Sequence, residues 1–95
     1  MLDCSRHFFS VQTVKEYIDI LALHGVNKFH WHLTDDQGWR FEVKSLPQLA
    51  ARGSYRPCTI VANNLQLGDG ELAIYDDKPF SGYYTQEELH DIVRY

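Results

Sequence analysis

No apolar run in this 95-residue chain approaches the ~20 residues that a bilayer-crossing helix requires, so no membrane span is expected. Nor does a charged-then-apolar signal segment open the sequence. Positive charge is also scarce. Nine Lys and Arg against thirteen Asp and Glu give a formal net charge of −4, without the basic patch that phosphate backbones demand, which argues against a nucleic-acid partner. Cys4 and Cys58 are the only cysteines, lie far apart and form no CxxC pair. Two free thiols, buried or half-buried, are expected; a disulfide between them is the alternative, and the cellular compartment stays open. The P-loop, the GxGxxG fingerprint, Ser-His-Asp spacing, internal repeats and low-complexity tracts are all missing. The length allows one small domain at most, burying roughly 60–65% of its unfolded surface.

Aromatic side chains, by contrast, make up 14% of the residues. They suit a site that grips rings, and they also fill cores. The stretch FHWHLTDDQGWR, residues 29–40, sets aromatic surface beside polar chemistry, combining two histidines, two adjacent aspartates, two tryptophans and an arginine. The chain opens directly on the strand-like MLDCSRHFF and stops inside a helical pattern at HDIVRY, so both ends read as cut through a larger unit.

Between those ends, residues 1–9 read as a strand running into Ser5-Arg6-His7. Val14, Tyr17, Ile18, Leu21 and Ala22 recur at helical spacing and predict an amphipathic helix over 11–24. Ser10 is its expected N-cap, Thr13 with Glu16 the rival, and Gly25 its stop. Residues 27–33 read as a strand, with Phe29, Trp31 and Leu33 on one face and His30 and His32 on the other. Asp35-Asp36-Gln37-Gly38 is turn chemistry, and residues 39–43 alternate as a further short strand. Pro47 starts and Gly53 ends a short helix. Residues 56–82 read as irregular, with a hairpin around Gly68-Asp69-Gly70. Thr85 to Glu88 is a capping box opening a last helix. Strand, helix, strand, helix in this order reads as α/β with parallel strands, and both polar clusters follow strand ends, where such folds bind ligands.

Three readings of that rim compete. His30 and His32 with Asp35 offer three metal ligands, but without cysteine ligands or an HExxH pattern local hydrogen bonding is favoured and no metal is expected. Asp35 and Asp36, as neighbours, point in different directions and do not flank one bond as a glycosidase pair does. Arg6 has the planar donors to hold two vicinal oxygens, or else pairs with Asp3, Asp35 or Asp36. Trp31 and Trp39 have the surface to stack on a sugar, with Trp31 better suited to a core. The residues alone narrow this to an acidic, aromatic ligand site at strand ends.

The segments LDCSRHFFS, HWHLTDDQGWR and GYYTQEE, in this order, closely resemble the catalytic domain of β-N-acetylhexosaminidases of glycoside hydrolase family 20. The likeness covers nearly all of residues 1–95 apart from the loop near 57–80. It implies a (β/α)8 TIM barrel of which this chain is the N-terminal part. Residues 1–9 and 28–34 would be the first two strands, and 11–24 and 85–95 the first two helices. It also implies hydrolysis of terminal non-reducing β-linked N-acetylglucosamine or N-acetylgalactosamine by a substrate-assisted retaining mechanism, without a cofactor. On that resemblance Arg6 matches the arginine that holds the terminal sugar's 3- and 4-hydroxyls. Asp35 matches an aspartate supporting a histidine beyond the third strand, which contacts the catalytic glutamate. The family's adjacent Asp-Glu pair does not occur in these 95 residues. The chain alone is therefore expected to be inactive and to self-associate through unpaired strand edges. A non-catalytic carbohydrate-binding fragment is the alternative.

Overall fold

A computed structural model describes residues 1–61 and 74–95. Along the chain lie β1 (Leu2–Asp3), α1 (Val11–Leu23), β2 (Trp31–His32), β3 (Thr34–Asp35), β4 (Gly38–Trp39), α2 (Pro47–Gly53) and α3 (Gln86–Arg94). β1 and β2 pair in parallel, Leu2 beside Trp31 and Asp3 beside His32. A tight turn cannot join parallel neighbours, and α1 supplies the crossover. β3 and β4 form an antiparallel hairpin around Asp36-Gln37. Helices and strands are thus mixed, around one parallel β-α-β unit.

The strands are shorter than the sequence reading of residues 1–9 and 27–33. The backbone N–H groups of Cys4 and Ser5 both donate to the His32 carbonyl, at 2.9 and 3.2 Å, which ends the ladder in a turn before Arg6. On β2 the pairing reaches back only to His30, whose carbonyl accepts from Leu2 N at 2.9 Å. The alternation over 39–43 splits between two partners: Trp39 pairs with Thr34, whereas Phe41 bridges to Tyr84 in parallel. The stretch read as irregular contains two facing arms, with antiparallel bridges from Arg56 to Phe80 and from Ile60 to Tyr75. The hairpin expected at Gly68-Asp69-Gly70 lies outside the described residues.

Local chemistry sets the helix ends. Ser10, not Thr13, caps α1: its Oγ accepts from Thr13 N at 3.1 Å. Gly25 takes φ +70°, which lets its own N–H reach the Ala22 carbonyl at 3.0 Å and that of Val26 reach Leu21 at 2.9 Å. In α3 the Thr85–Glu88 capping box is closed in both directions. The N-terminal amide of Gln86 also donates to the Glu42 carboxylate at 2.8 Å, placing a negative charge at the helix's positive end.

Among the described residues Cys4, Val14, Tyr84, Leu89 and Ile92 form the buried cluster. Phe29, Trp31 and Leu33 pack on it together, the face that strand alternation assigned, while Ala22, on the apolar stripe with Ile18 and Leu21, is exposed because it lines an open groove. Cys4 and Cys58 are free thiols, buried and half-buried respectively. Ile18, Leu21, Val26, Phe29, Ile92 and Val93 border an open, largely apolar groove of about 290 Å³ between α1 and α3.

Arg40, just after β4, has no solvent exposure. Its Nε donates to the Cys4 carbonyl at 3.0 Å and its Nη2 to that of Ser5 at 2.9 Å. Its Nη1 donates to the carbonyls of Ser54 at 2.6 Å and Gly82 at 2.8 Å. Carbonyl dipoles therefore solvate this cation, and no carboxylate pairs with it among the described residues. Burial lowers its pKa and the nearby Arg56 charge adds to that, but a guanidinium keeps its proton at any ordinary pH. Gly38 makes room for it: a Cβ there would lie 2.5 Å from Arg40 Nη2 and 2.7 Å from the Ser5 carbonyl oxygen.

Gly38→Ala is accordingly expected to destabilise the fold by about 1–3 kcal/mol, the usual cost of overpacking. Urea unfolding should show a lower midpoint at an unchanged slope. An unaltered midpoint would mean that the guanidinium has room to move.

Candidate functional site

Two chain segments bring the polar rim together. The turn that ends β1 exposes Arg6, and β3 carries Asp35 beside it. Arg6 Nη1 lies 2.8 Å from Asp3 Oδ2 and 3.3 Å from Asp35 Oδ2, so one nitrogen bridges two carboxylates. Asp3 also accepts the Arg6 backbone N–H at 3.0 Å, which fixes the turn and the side chain from the same anchor. His32 Nε2 meets Asp35 Oδ2 at 2.9 Å, and Asp36 N donates to Asp35 Oδ1 at 2.8 Å. The Arg6 side chain remains 53% exposed, enough for a ligand to reach its other donors. It also borders a cavity of about 370 Å³ whose far wall includes Arg56, Cys58, Thr59, Ile60 and Tyr75.

The two residues singled out from the sequence, Arg6 and Asp35, thus converge. The other residues of the aromatic and acidic stretch divide between rim and interior. Trp31 is core: its Nε1–H points at Cys4 Sγ at 3.2 Å and its ring meets Tyr84 edge-on. Trp39 is turned to α2, where a Cβ on Gly53 would lie 2.8 Å from its own, and its indole N–H donates to the Phe41 carbonyl. His30 is exposed and stands edge-on to His32. His30, His32 and Asp35 do not assemble as three metal ligands, and no group of three His, Cys, Asp or Glu side chains is placed to hold a metal ion among the described residues.

His32, weighed with Asp35 as a metal ligand against local hydrogen bonding, belongs to the rim through that local bond to Asp35. The residue that the sequence reading missed is Arg40. It gave no signal beyond its place at the close of the motif, because its four acceptors are main-chain atoms distant in sequence.

Electrostatics follows from the hydrogen bonds. The Asp35 carboxyl is held down to about 2 by the Asp36 backbone N–H first, then by His32, with the Arg6 charge adding. For Asp3 partial burial works upward, but the backbone and side-chain bonds from Arg6 outweigh it and the net shift is downward. Arg6 is held above its ordinary value chiefly by its bond to Asp3. The rim is therefore a permanently ionised Asp–Arg–Asp relay at neutral pH.

Comparison with known proteins identifies the family of the chain. A family model described as glycosyl hydrolase family 20, catalytic domain, matches residues 1–95. Beta-hexosaminidases of Porphyromonas gingivalis and Vibrio furnissii are 46% and 44% identical across the whole chain. The chain spans only 10% and 14% of their lengths. Among solved structures, a GH20 exo-β-N-acetylglucosaminidase from Vibrio harveyi, in complex with N-acetylglucosamine, has a TM-score of 0.77 at 46% identity, over 99% of this chain and 14% of that one. A β-N-acetylhexosaminidase with a TM-score of 0.79 is 33% identical over 97% of this chain and 17% of its own.

Asp35, with its pKa below the ordinary 3.8, contributes stability that is complete above that value and lost as pH falls toward 2. The stability gap between wild type and Asp35→Asn should therefore close as pH drops from 4 to 2. Carboxyl-carbon NMR titration is expected to place the Asp35 midpoint near 2; a midpoint at or above 3.8 would contradict the hydrogen-bond pattern.

Proposed function

The chain belongs to glycoside hydrolase family 20, and from this premise we propose that it is part of a β-N-acetylhexosaminidase. In that reading β1, α1, β2 and α3 are the first two β/α units of a (β/α)8 barrel. The β3–β4 hairpin, α2 and the facing arms would be an insertion between the second strand and its helix. The substrate is a glycan ending in a non-reducing β-linked N-acetylglucosamine or N-acetylgalactosamine. The observation that carries the proposal is the convergence of Arg6 and Asp35, 3.3 Å apart, on one rim beside an open cavity.

Arg6 is suited to the sugar's 3- and 4-hydroxyls. Asp3 orients the guanidinium before any ligand arrives, and planar, fixed donors hold vicinal oxygens with little further ordering. Asp35 has a different task. An ionised carboxylate has about four acceptor positions. Asp36 N and His32 hydrogen-bond two of them and Arg6 pairs with the carboxylate at 3.3 Å, which leaves room for a further donor. That donor is a histidine from outside these residues, whose tautomer and orientation Asp35 sets and which touches the acid. The bond is broken by the substrate itself: its 2-acetamido oxygen attacks the anomeric carbon to give an oxazolinium-like intermediate, while an aspartate steers and stabilises the acetamido nitrogen and the adjacent glutamate protonates the leaving oxygen. No cofactor enters.

These 95 residues contain no adjacent Asp-Glu. By themselves they turn over nothing, and their open strand edges favour self-association. The uncovered apolar groove between α1 and α3 fits the same reading, since a closed barrel leaves little such surface open.

In the intact enzyme, Arg6→Ala is expected to lower kcat/KM on a chromogenic N-acetylglucosaminide by roughly ten- to a hundredfold, the range for losing a hydrogen bond to a charged group. An unchanged value would remove Arg6 from the site. Asp35→Asn should act elsewhere, depressing kcat and moving the acid limb of its pH profile. A profile superimposable on wild type would defeat the supporting role.

A further inference from the structure

We infer that Arg40 is a positioning residue for this chemistry, the part that sets Arg6 and Asp35 in one frame; the inference rests on the reading of those two residues given above. The carbonyls of Cys4 and Ser5, which Arg40 grips through Nε and Nη2, are the last two before Arg6. The backbone N–H of Arg40 itself donates to the Leu33 carbonyl at 2.9 Å, at the root of the hairpin that carries Asp35. Ser5 Oγ donates to the Gly38 carbonyl at 2.7 Å and ties the same two segments a second time. One side chain is therefore bonded to the turn that aims the guanidinium, while its own backbone is bonded to the base of the strand that aims the carboxylate. The remaining donor, Nη1, anchors the frame to Ser54 at the end of α2 and to Gly82 before α3.

A lysine cannot reproduce this. Its single nitrogen has three donors on a flexible stem and no fork, so it cannot meet four carbonyls arrayed around a plane. The charge would stay while the geometry is lost. Because Arg40 has no solvent exposure, it reaches a bound sugar only through the residues it holds.

The test is a double-mutant cycle in the intact enzyme. Arg40→Lys, if folded by circular dichroism, should lower kcat/KM at least tenfold, and that loss should shrink to about twofold or less when introduced into Arg6→Ala. A merely structural role would give losses that multiply. Should Arg40→Lys fail to fold, Ser5→Ala decides, because it removes only the second tie: a several-fold loss that likewise vanishes in the Arg6→Ala background supports the inference. Full activity of folded Arg40→Lys, multiplying losses, or full activity of Ser5→Ala where the lysine variant does not fold would overturn it. If Arg6→Ala alone retains full kcat/KM, the reading of the site has failed rather than Arg40's place in it.

Discussion

A guanidinium sealed inside a 95-residue chain must be solvated by something, and here four peptide carbonyls replace the water. Burying an unpaired cation is among the costliest acts in folding, so this arrangement holds only if every carbonyl arrives together. The end of β1, the end of α2, the approach to α3 and the hairpin are therefore fixed relative to one another by a single residue. The apolar cluster, by comparison, is small and supplies less directional restraint. Directionality matters here because the two side chains on the rim need a defined separation, which hydrophobic contact alone does not prescribe.

Above that frame the rim follows a simple electrostatic logic. Two carboxylates share one arginine nitrogen, so the cation is oriented without being cancelled on its outer side. Backbone N–H groups do much of the work of keeping the acids ionised, Asp36 for Asp35 and Arg6 for Asp3. Such bonds are set by the turn conformation, so the charge state of the rim is a property of the backbone path more than of its neighbours' titration. The interior is organised differently: Tyr84 donates to the Phe9 carbonyl and leans on Cys4 Sγ, and burial pushes its phenol well above its usual range.

Local rules made much of this legible in the sequence. The α1 stripe, the Thr85 capping box, the Gly25 stop and the two faces of β2 follow from periodicity and cap chemistry, each decided within a few residues. Arg6 and Asp35 were singled out by the resemblance to the family's motifs; their place after strand ends alone left a solvated turn and an ion pair as open readings. What failed was everything dependent on partners far along the chain. Strand lengths were overstated because the ladder stops where Cys4 and Ser5 turn toward the same carbonyl. The Phe41–Tyr84 bridge joins residues whose pairing no local pattern encodes. Arg40 was invisible for the same reason, since a carbonyl acceptor leaves no trace in the identity of the residue that bears it.

The two thiols differ in a way that has a practical outcome. Cys58 is half-buried at the cavity wall, while Cys4 lies in the interior, its sulfur accepting from Trp31 Nε1 and lying 3.4 Å from the Tyr84 hydroxyl oxygen. A thiol reagent added to the folded protein meets Cys58 in the native state, but reaches Cys4 only when the buried cluster around it opens. The labelling rate at Cys4 thus becomes a clock for that opening, supplied by the protein without any introduced probe.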